Sequence, residues 1–393
     1  MQASLSTLTP SLERQLHPAF SELSEVASIG SNGSILFATD DWFAPAEWML
    51  KDADPVFRPD EYTSFGKWMD GWETRRKRTP GHDWCLVELG APTQIVGFMI
   101  DTAFFTGNYA PRISIQGGTL DGTMKRMLQS SIPRNSDANM GTGRTTEELG
   151  MVELIGTEQW DVLLPRTELK PGYEQTRRQY FIVSPAKAKQ SPPVNHLRVN
   201  MYPDGGISRL RVYGTVRLNV SDSLAAKKPI DMIAMLNGGR CTGFSNAHYG
   251  HPRNLIKPSK PINMGDGWET ARRLDRPPVL QVDGAGILQV PGCEWATFQL
   301  GAPEGCWIEC VCIDTIHFKG NFPDNVRVEY ASKGEPDVWI PLMNRKKLGP
   351  NQTHEFRAAD LQAQEKAASL VRITIAPDGG LSRVRIFGTI AKG

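Results

Sequence analysis

The chain contains the same sequence pattern twice. DGWETRR at residues 70–76 recurs as DGWETAR at 266–272. Further blocks recur in the same order: WCLVELGAP (84–92) with WATFQLGAP (295–303), IDTAFFTGNYAPRISI (100–115) with IDTIHFKGNFPDNVRV (313–328), and LRVNMYPDGGISRLRVYGT (197–215) with VRITIAPDGGLSRVRIFGT (371–389). Because only the spacing between blocks differs, we infer a duplicated domain with insertions.

The repeat divides the chain into predicted segments. We expect an N-terminal extension at 1–23, a first repeat at 24–216, a linker at 217–235 and a second repeat at 236–393. The first repeat carries a polar, glycine-rich insertion at about 121–157. An insertion of this composition predicts a loop that either moves or lines a site.

Within each repeat the hydrophobic residues have a period of two. Ala296, Phe298 and Leu300 alternate with polar or exposed positions, which is typical of strands with one buried face. The segments YPDGG and APDGG predict hairpin turns, after which Arg209 and Arg383 would lie on the polar faces of their strands and bridge to the turn aspartates. Many short strands with Gly and Pro between them predict an all-β chain of two tandem jelly-roll β-sandwich domains.

Composition excludes several classes of function. With 44 basic and 43 acidic residues the chain offers no basic face for a nucleic acid, and it has no apolar run long enough to cross a membrane. The N-terminus does not resemble a secretory signal. Six cysteines without a CxxC pair indicate free thiols in a reducing compartment more than a metal or disulfide role, which predicts a cytoplasmic protein.

Several motifs together resemble the allantoicase family. They are DGWETRR, DTAFFTGN (101–108), SNAHYGHPRNLI (245–256), HFKGNFPDN (317–325) and PDGGLSRVRIFG (377–388), and the resemblance extends from about residue 28 to the C-terminus. It implies hydrolysis of allantoate to ureidoglycolate and urea in purine breakdown. It also implies a galactose-binding-like jelly-roll fold and a homo-oligomeric enzyme whose partner is a small ureide.

The chemistry of allantoate indicates which residue types are needed. A guanidinium would bind its carboxylate, and a general acid must protonate the departing urea before water is activated. The repeated DGWET motifs supply candidates for the acid and base: Glu73, Glu269, Asp70 and Asp266. Arg76 and Arg272 are candidates for binding the substrate carboxylate. The structural alternative stays open, in which Asp–Arg or Glu–Arg pairs pin a loop and Trp72 and Trp268 only pack.

Further binding candidates lie in the other repeated blocks. Their side chains could face the ureido groups or the carboxylate: Asp101, Asp314, Asn108, Asn321, Arg209 and Arg383. For the asparagines a turn-forming role is the alternative, with Gly107 and Gly320 at positive φ.

Histidines distinguish the two repeats. His248, His251 and His317 occur only in the second repeat, where the first has Trp42, Pro45 and Phe104. We consider His248 and His317 for acid–base catalysis and His251 for substrate binding, with plain packing as the alternative. No metal or other cofactor is predicted, although the three histidines would suffice for a divalent ion such as zinc. The two repeats therefore need not hold equivalent sites.

Two other functions compete with hydrolysis of a ureide. A non-catalytic tandem jelly roll could bind carbohydrate through both copies. A metal-dependent amidinohydrolase on an α/β scaffold would need clustered Asp and His ligands on parallel strands, which the sequence lacks.

Overall fold

The computed structural model describes residues 7–8, 17–20, 22–184, 186, 188, 191–218, 228–302 and 304–391. They form two compact units, Ser24–Thr215 and Val216–Gly393, the second including Met1–Leu23. Most of the predicted N-terminal extension and residues 219–227 of the predicted linker lie outside the described residues. Among the helices that the structure describes, none has the length and apolarity needed to span a bilayer.

The first unit is built mainly from strands. Short β1 (Thr7–Leu8) precedes it along the chain. Its own strands are β2 (Ser24–Glu25), β3 (Ser34–Ala38), β4 (Tyr62–Thr63), β5 (Gly66–Lys67), β6 (Trp72–Glu73), β7 (Asp83–Asp101), β8 (Arg112–Gly118), β9 (Asp161–Glu168), β10 (Arg178–Ile182), β11 (Val194–Tyr202), β12 (Gly206–Ile207) and β13 (Arg209–Val216). Two α-helices, α1 (Gly122–Ser131) and α2 (Thr146–Glu153), lie between β8 and β9.

The described residues of the second unit repeat this order without α-helices. Its strands are β14 (Ile230–Asp231), β15 (Arg240–Phe244), β16 (Asn246–Ala247), β17 (Trp268–Glu269), β18 (Gln281–Val282), β19 (Leu288–Gln289), β20 (Glu294–Gln299), β21 (Cys306–Asp314), β22 (Asn325–Ser332), β23 (Glu335–Lys347), β24 (Thr353–Phe356), β25 (Leu370–Ala376), β26 (Gly380–Leu381) and β27 (Arg383–Ile390). Short 3-10 turns lie at Pro18–Phe20, Ile29–Ser31, Ala46–Leu50, Ser136–Asn139, Thr157–Gln159, Met235–Asn237, Pro252–Ile256 and Met264–Asp266. Strand β1 pairs in parallel with β16.

Each unit is an antiparallel sandwich, so the prediction of tandem jelly rolls is confirmed. In the second unit one sheet has the order β14-β27-β21-β24 and the other β15-β20-β25-β22-β23. In the first unit the long strand β7 takes part in both layers, because β3 and β11 pair with its first half and β10 with its last residues. Its counterpart in the second unit is divided into β20 and β21, which lie in different sheets.

The period-two pattern reflects burial between the sheets. Ala296 and Phe298 are completely buried, whereas Trp295 and Thr297 on the opposite face of β20 are only partly covered. In the second unit one continuous core joins the two sheets and includes Trp268, Phe298 and Tyr330. Burial of this apolar area is the main stabilising term for a sandwich.

The PDGG segments are not hairpin turns, so that prediction is wrong. Strands β11 and β13 do not pair with each other but lie on either side of β7, and their counterparts β25 and β27 lie in different sheets, so the segment between them carries the chain across to another part of the sandwich. On the way, β12 pairs with β6, and in the second unit β26 pairs with β17. The glycines permit this close approach, since a Cβ on Gly206 or Gly380 would overlap the ring of Phe105 or Phe318.

The insertion at about 121–157 is a folded cap and not an open loop. Helices α1 and α2 contribute Leu128 and Val152 to a buried cluster that also contains Phe37 and Trp84. Arg134, also in the insertion, forms a forked ion pair with Asp41 and a second pair with Glu47. Asp41, which directly precedes the segment aligned with the histidines, therefore has a structural contact.

Replacing Arg134 with methionine is expected to loosen this cap. Asp41 is fully buried and would lose its forked partner, which for a buried pair costs about 3–5 kcal/mol of unfolding free energy. Limited proteolysis followed by mass spectrometry should show new cuts within 121–157, while the exposed control Arg126→Met should leave the cleavage pattern unchanged. A proteolysis pattern identical to the parent would contradict the anchoring role.

Candidate functional site

Each DGWE motif forms a two-residue strand held by its tryptophan. Strand β6 (Trp72–Glu73) pairs with β12, and β17 (Trp268–Glu269) with β26. Both indoles are fully buried, and their N–H groups donate to the backbone oxygens of Asp40 and Asn246 at 2.9 and 2.8 Å. The tryptophans therefore pack, as expected, and they fix the position of the neighbouring glutamates.

The aspartate of each motif forms an ion pair with an arginine, which is buried on both sides in the first repeat and only partly buried on the aspartate side in the second. Arg209 donates from Nη2 to Asp70 at 2.7 Å, and Arg383 does the same to Asp266 at 2.6 Å. Lys51 and Lys257 contact the other carboxylate oxygen of their respective aspartates. Burial raises the pKa of Asp70, but the hydrogen bond and charge of Arg209 together with Lys51 lower it overall below its ordinary value.

This arrangement corrects the placement of the two arginines. Arg209 and Arg383 were expected on polar strand faces with Asp204 and Asp378 as partners, but both are almost completely buried. Asp204 instead accepts the backbone N–H of Lys77, and Asp378 that of Arg273. An Asp–Arg ion pair was the structural alternative for the DGWE motif. The structure contains such a pair in each repeat, but its arginine comes from the PDGG block and not from the motif itself.

The glutamate of each motif contacts the asparagine of the FxGN block. Asn108 Nδ2 donates to Glu73 Oε1 at 2.6 Å, and Asn321 Nδ2 donates to Glu269 Oε1 at 2.6 Å. The asparagines therefore do more than shape a turn. The structure joins two sequence blocks in the same way in both repeats.

The turn before each asparagine has its left-handed residue in another place than predicted. Phe104 and His317 adopt φ of 68° and 72°, while Gly107 and Gly320 are not at positive φ. The prediction for the glycines is therefore wrong. Such a φ is uncommon for a residue with a side chain and is tolerated only where neighbouring contacts hold it. The backbone N–H of Phe104 donates to Gly172, and that of His317 to the side chain of Asn351.

In the first repeat the Glu73–Asn108 pair lines a cavity of about 430 Å³. Its lining is a mixture of apolar side chains, one cation and the glutamate–asparagine pair: Phe43, Phe57, Lys67, Met69, Glu73, Phe104, Thr106 and Asn108. The rings of Phe57 and Phe104 stack with centroids 5.3 Å apart, and Lys67 Nζ lies 4.9 Å from the Phe57 ring centre. We call this space the Glu73 cavity.

Glu73 is chemically unusual within this cavity. Within the part of the chain that the structure describes, Asn108 is the only hydrogen-bond partner of its carboxyl group. Burial raises the pKa of Glu73 to about 7, and the hydrogen bond from Asn108 only partly opposes this rise. A carboxyl group with this pKa is present in both protonation states at neutral pH, so it can give and take a proton.

The second repeat keeps the pair but not the cavity wall. Val56 and Ile262 donate to equivalent aspartates, yet Val56 precedes its aspartate by 14 residues and Ile262 by only 4. The additional residues of the first repeat form the hairpin β4–β5, which supplies Lys67. Glu269 is less buried than Glu73.

The other predicted site residues are placed as follows. Asp101 is buried and forms a forked ion pair with Arg177. One oxygen of Asp314 is buried without a hydrogen-bond partner among the described residues. Arg76 and Arg272 are exposed, and within the described residues neither makes a hydrogen bond or an ion pair. Arg76 does not line the Glu73 cavity.

The three histidines do not form a zinc site. His251 is buried and its Nδ1 accepts the N–H of Arg253, while His317 Nε2 lies 2.9 Å from the backbone oxygen of Pro261. His248 packs edge-on against Tyr249. The ligand atoms of the three histidines do not all lie within 4.8 Å of one another. Among the described residues, Cys310, Cys312 and Glu355 do meet this spacing. Burial lowers the pKa of His251 well below its ordinary value, so it stays neutral.

Several cavity residues were missed by the sequence interpretation. Lys67, Phe57 and Met69 lie in or beside the additional hairpin, which has no counterpart in the second repeat. A comparison between repeats detects only what both copies retain. The difference of 10 residues in front of the two aspartates was the one available signal.

The fold and cavity define a class: a tandem jelly-roll protein with a small cavity that contains a buried glutamate, which has no ion-pair partner among the described residues. A family model described as allantoicase repeat matches residues 24–217 and 230–391. The chain is 37% identical to a probable allantoicase of Acinetobacter baumannii (strain SDF) over 391 residues, which is 95% of this chain and 98% of the relative. It therefore belongs to the allantoicase family, as the sequence motifs indicated.

Solved structures agree with this assignment. The crystal structure of an allantoicase from Saccharomyces cerevisiae aligns with a TM-score of 0.69 at 28% identity, covering 97% of this chain and 98% of that one. A second allantoicase structure aligns with a TM-score of 0.67 at 29% identity, covering 93% of both chains.

Proposed function

We propose that the chain hydrolyses allantoate to ureidoglycolate and urea in purine degradation, and that the reaction takes place in the Glu73 cavity. Family membership supports the reaction. The observation that supports the place is the Glu73 carboxyl, which is buried, has no cationic partner among the described residues and has a pKa of about 7. Such a group can serve as acid and base in one cycle.

The proposed step moves one proton out and one proton back. Protonated Glu73 gives its proton to the nitrogen of the departing ureido arm as the bond between that nitrogen and the central carbon breaks, and urea leaves. The resulting carboxylate then takes a proton from the water whose oxygen bonds to the central carbon. One water is consumed, ureidoglycolate forms, and Glu73 is again protonated. Asn108 orients the carboxyl through its 2.6 Å hydrogen bond.

Substrate orientation requires a cation and flat apolar surfaces. Lys67 is the cation that lines the cavity, and we assign it to the substrate carboxylate. The aromatic side chains of Phe43, Phe57 and Phe104 would exclude water from the reacting centre. We assign Asp70, Asp266, Arg209 and Arg383 to holding the site strands, because their charges are already paired.

Four predicted site residues of the second repeat have a weaker claim to a functional role. Glu269 and Asn321 reproduce the pair of the first repeat, and His248 and His317 are partly exposed in the second. These four remain candidates for a second, more open binding site. None of these four residues lines the Glu73 cavity, on which the assignment of catalysis to Glu73 depends.

The proposed reaction has a direct test. Purified chain incubated with allantoate should release one urea per substrate consumed, measured by a urease-coupled assay, with and without prior chelator treatment. We expect equal rates in both samples, because the proposed step uses only side chains of the chain. Absence of urea release, combined with binding on a glycan array, would support the carbohydrate-binding alternative instead.

Lys67 is testable through its effect on binding. Lys67→Met should raise KM for allantoate about tenfold with a small change in kcat, since an exposed charge-assisted contact contributes about 1.4 kcal/mol. The control is Lys319→Met, which changes an exposed lysine of the second repeat at the position equivalent to the cavity residue Thr106, and it should leave KM unchanged. A larger rise in KM for Lys319→Met would place the carboxylate contact in the second repeat.

The family resemblance and the thiols support two further parts of the proposal. We infer an assembly of identical chains without a nucleic-acid partner, which sedimentation equilibrium would test. We also infer a cytoplasmic protein, since none of the six cysteines, all of them among the described residues, is held in a disulfide. Localisation of a tagged chain in its host would test the compartment.

A further inference from the structure

Two cysteines and a glutamate meet on one sheet of the second unit, away from the Glu269–Asn321 pair in sequence. Cys310 and Cys312 are two apart on β21 and face the same side, with sulfurs 3.8 Å apart. Glu355 on the neighbouring strand β24 lies opposite Cys312 in the register. One ligand atom from each of the three residues lies within 4.8 Å of the other two.

The spacing of the sulfurs suits a metal ion. Two thiolates bound to one zinc at about 2.3 Å, with a tetrahedral angle between them, lie about 3.8 Å apart. A carboxylate is an accepted third ligand, and the fourth position of such a site can be taken by solvent. Cys310 is buried, Cys312 half-buried and Glu355 exposed, so one side of the group opens toward solvent.

The first repeat shows that this group is not a requirement of the fold. Asp101 and Asp314 are equivalent, so the positions of Cys310 and Cys312 correspond to Gly97 and Met99. Tyr180 pairs with Met99 where Glu355 pairs with Cys312. A sandwich of the same family thus forms this strand pair with Gly97, Met99 and Tyr180 in place of the two cysteines and the glutamate.

The charges around the group leave room for a cation. Glu355 has an ion pair with Arg357, which is 71% exposed and can move into solvent. Arg385 lies opposite Cys312 in the register, but its guanidinium is engaged with backbone oxygens of Leu255 and Lys257 and with Asp231. Each arginine already has a carboxylate partner, Glu355 for Arg357 and Asp231 for Arg385.

We propose that Cys310, Cys312 and Glu355 form a binding site for one thiophilic divalent cation, Zn²⁺ in the first place. The ion links β21 to β24, the edge strand of the four-stranded sheet. Its role is to stabilise the second unit, and the chemistry of the Glu73 cavity does not use it. The site replaces the simpler prediction that all six thiols are free of any ligand.

The test is a metal titration of the full chain. Chain stripped with chelator under reducing conditions is titrated with Co²⁺ and Cd²⁺, which give thiolate charge-transfer absorption, and then with Zn²⁺ in competition. We expect one equivalent to bind, with absorption typical of two thiolates, and Zn²⁺ to raise the melting temperature. Cys312→Ser should abolish the thiolate absorption, and Glu355→Gln should weaken binding roughly tenfold or more.

The matched control is Cys293→Ser, a partly exposed free thiol outside the group, which should bind like the parent. Glu355→Gln changes an exposed side chain, so its effect can be read even if a cysteine variant folds poorly. Absence of thiolate absorption in the parent would overturn the proposal. So would absorption that survives both Cys312→Ser and Glu355→Gln, or a mass two hydrogens lower that marks a Cys310–Cys312 disulfide in place of metal binding.

Discussion

Glu73→Gln is expected to remove nearly all urea release and, above pH 7, to make the folded chain more stable. A positioned acid–base group contributes about 10² to 10⁴ in rate, and glutamine can neither give nor take the proton. Glutamine keeps the size of the side chain and can still bond with Asn108, so the cavity should keep its shape. Initial rates of urea release at saturating allantoate measure the loss.

The gain in stability follows from the direction of the pKa shift. Burial raises the pKa of Glu73 to about 7 from 4.5, so between these values the folded chain holds a proton that the unfolded chain has lost. The free energy of unfolding therefore falls as pH rises from about 4.5 to 7, by on the order of 3 kcal/mol for a shift of this size. Above pH 7 the full penalty is present, and glutamine removes it.

Denaturant midpoints of the parent and Glu73→Gln should therefore converge near pH 5 and separate at pH 8. Glu269→Gln is the comparison variant from the second repeat, and it should retain most of the turnover. Equal losses in the two variants would contradict the assignment of catalysis to the first repeat alone. A Glu73→Gln chain that is inactive and also less stable at pH 8 would show that the carboxylate serves the fold.

The duplication made most of the fold predictable, because strands kept in both copies show their period of two and their order. It also offered Glu73, Asn108, Glu269 and Asn321 as candidates, and in the structure each glutamate bonds to the asparagine of its own repeat. The register between sheets could not be read in this way. PDGG has the composition of a hairpin turn, and only the placement of β25 and β27 in different sheets shows that it joins two layers.

The features that distinguish the repeats were the least predictable. Lys67 and Phe57 line the cavity because an additional hairpin occurs in one copy, and no second copy indicates its role. Arg134 reaches Asp41 across 93 residues of sequence, a contact for which local periodicity gives no signal. The polar composition of 121–157 predicted a loop because its helices bury few residues each against the sheet.

Arg209→Met is expected to destabilise the first unit by about 3–5 kcal/mol, the cost of leaving one member of a buried ion pair alone. Asp70 would keep Lys51 but lose the guanidinium that bonds its second oxygen and its backbone oxygen.

Chemical denaturation measured by tryptophan fluorescence gives the size of the effect. The control Arg76→Met removes an exposed arginine and should change the free energy of unfolding by no more than about 0.5 kcal/mol. Because the pKa of Asp70 is lowered in the folded chain, its ion pair stabilises above the unfolded value near 4 and this contribution is lost as pH falls below it. The difference between parent and Arg209→Met should therefore shrink in acid. A difference that is small, or that does not change between pH 7 and pH 3, would mean that the arginine acts by packing alone and that the aspartate of the DGWE motif remains free for chemistry.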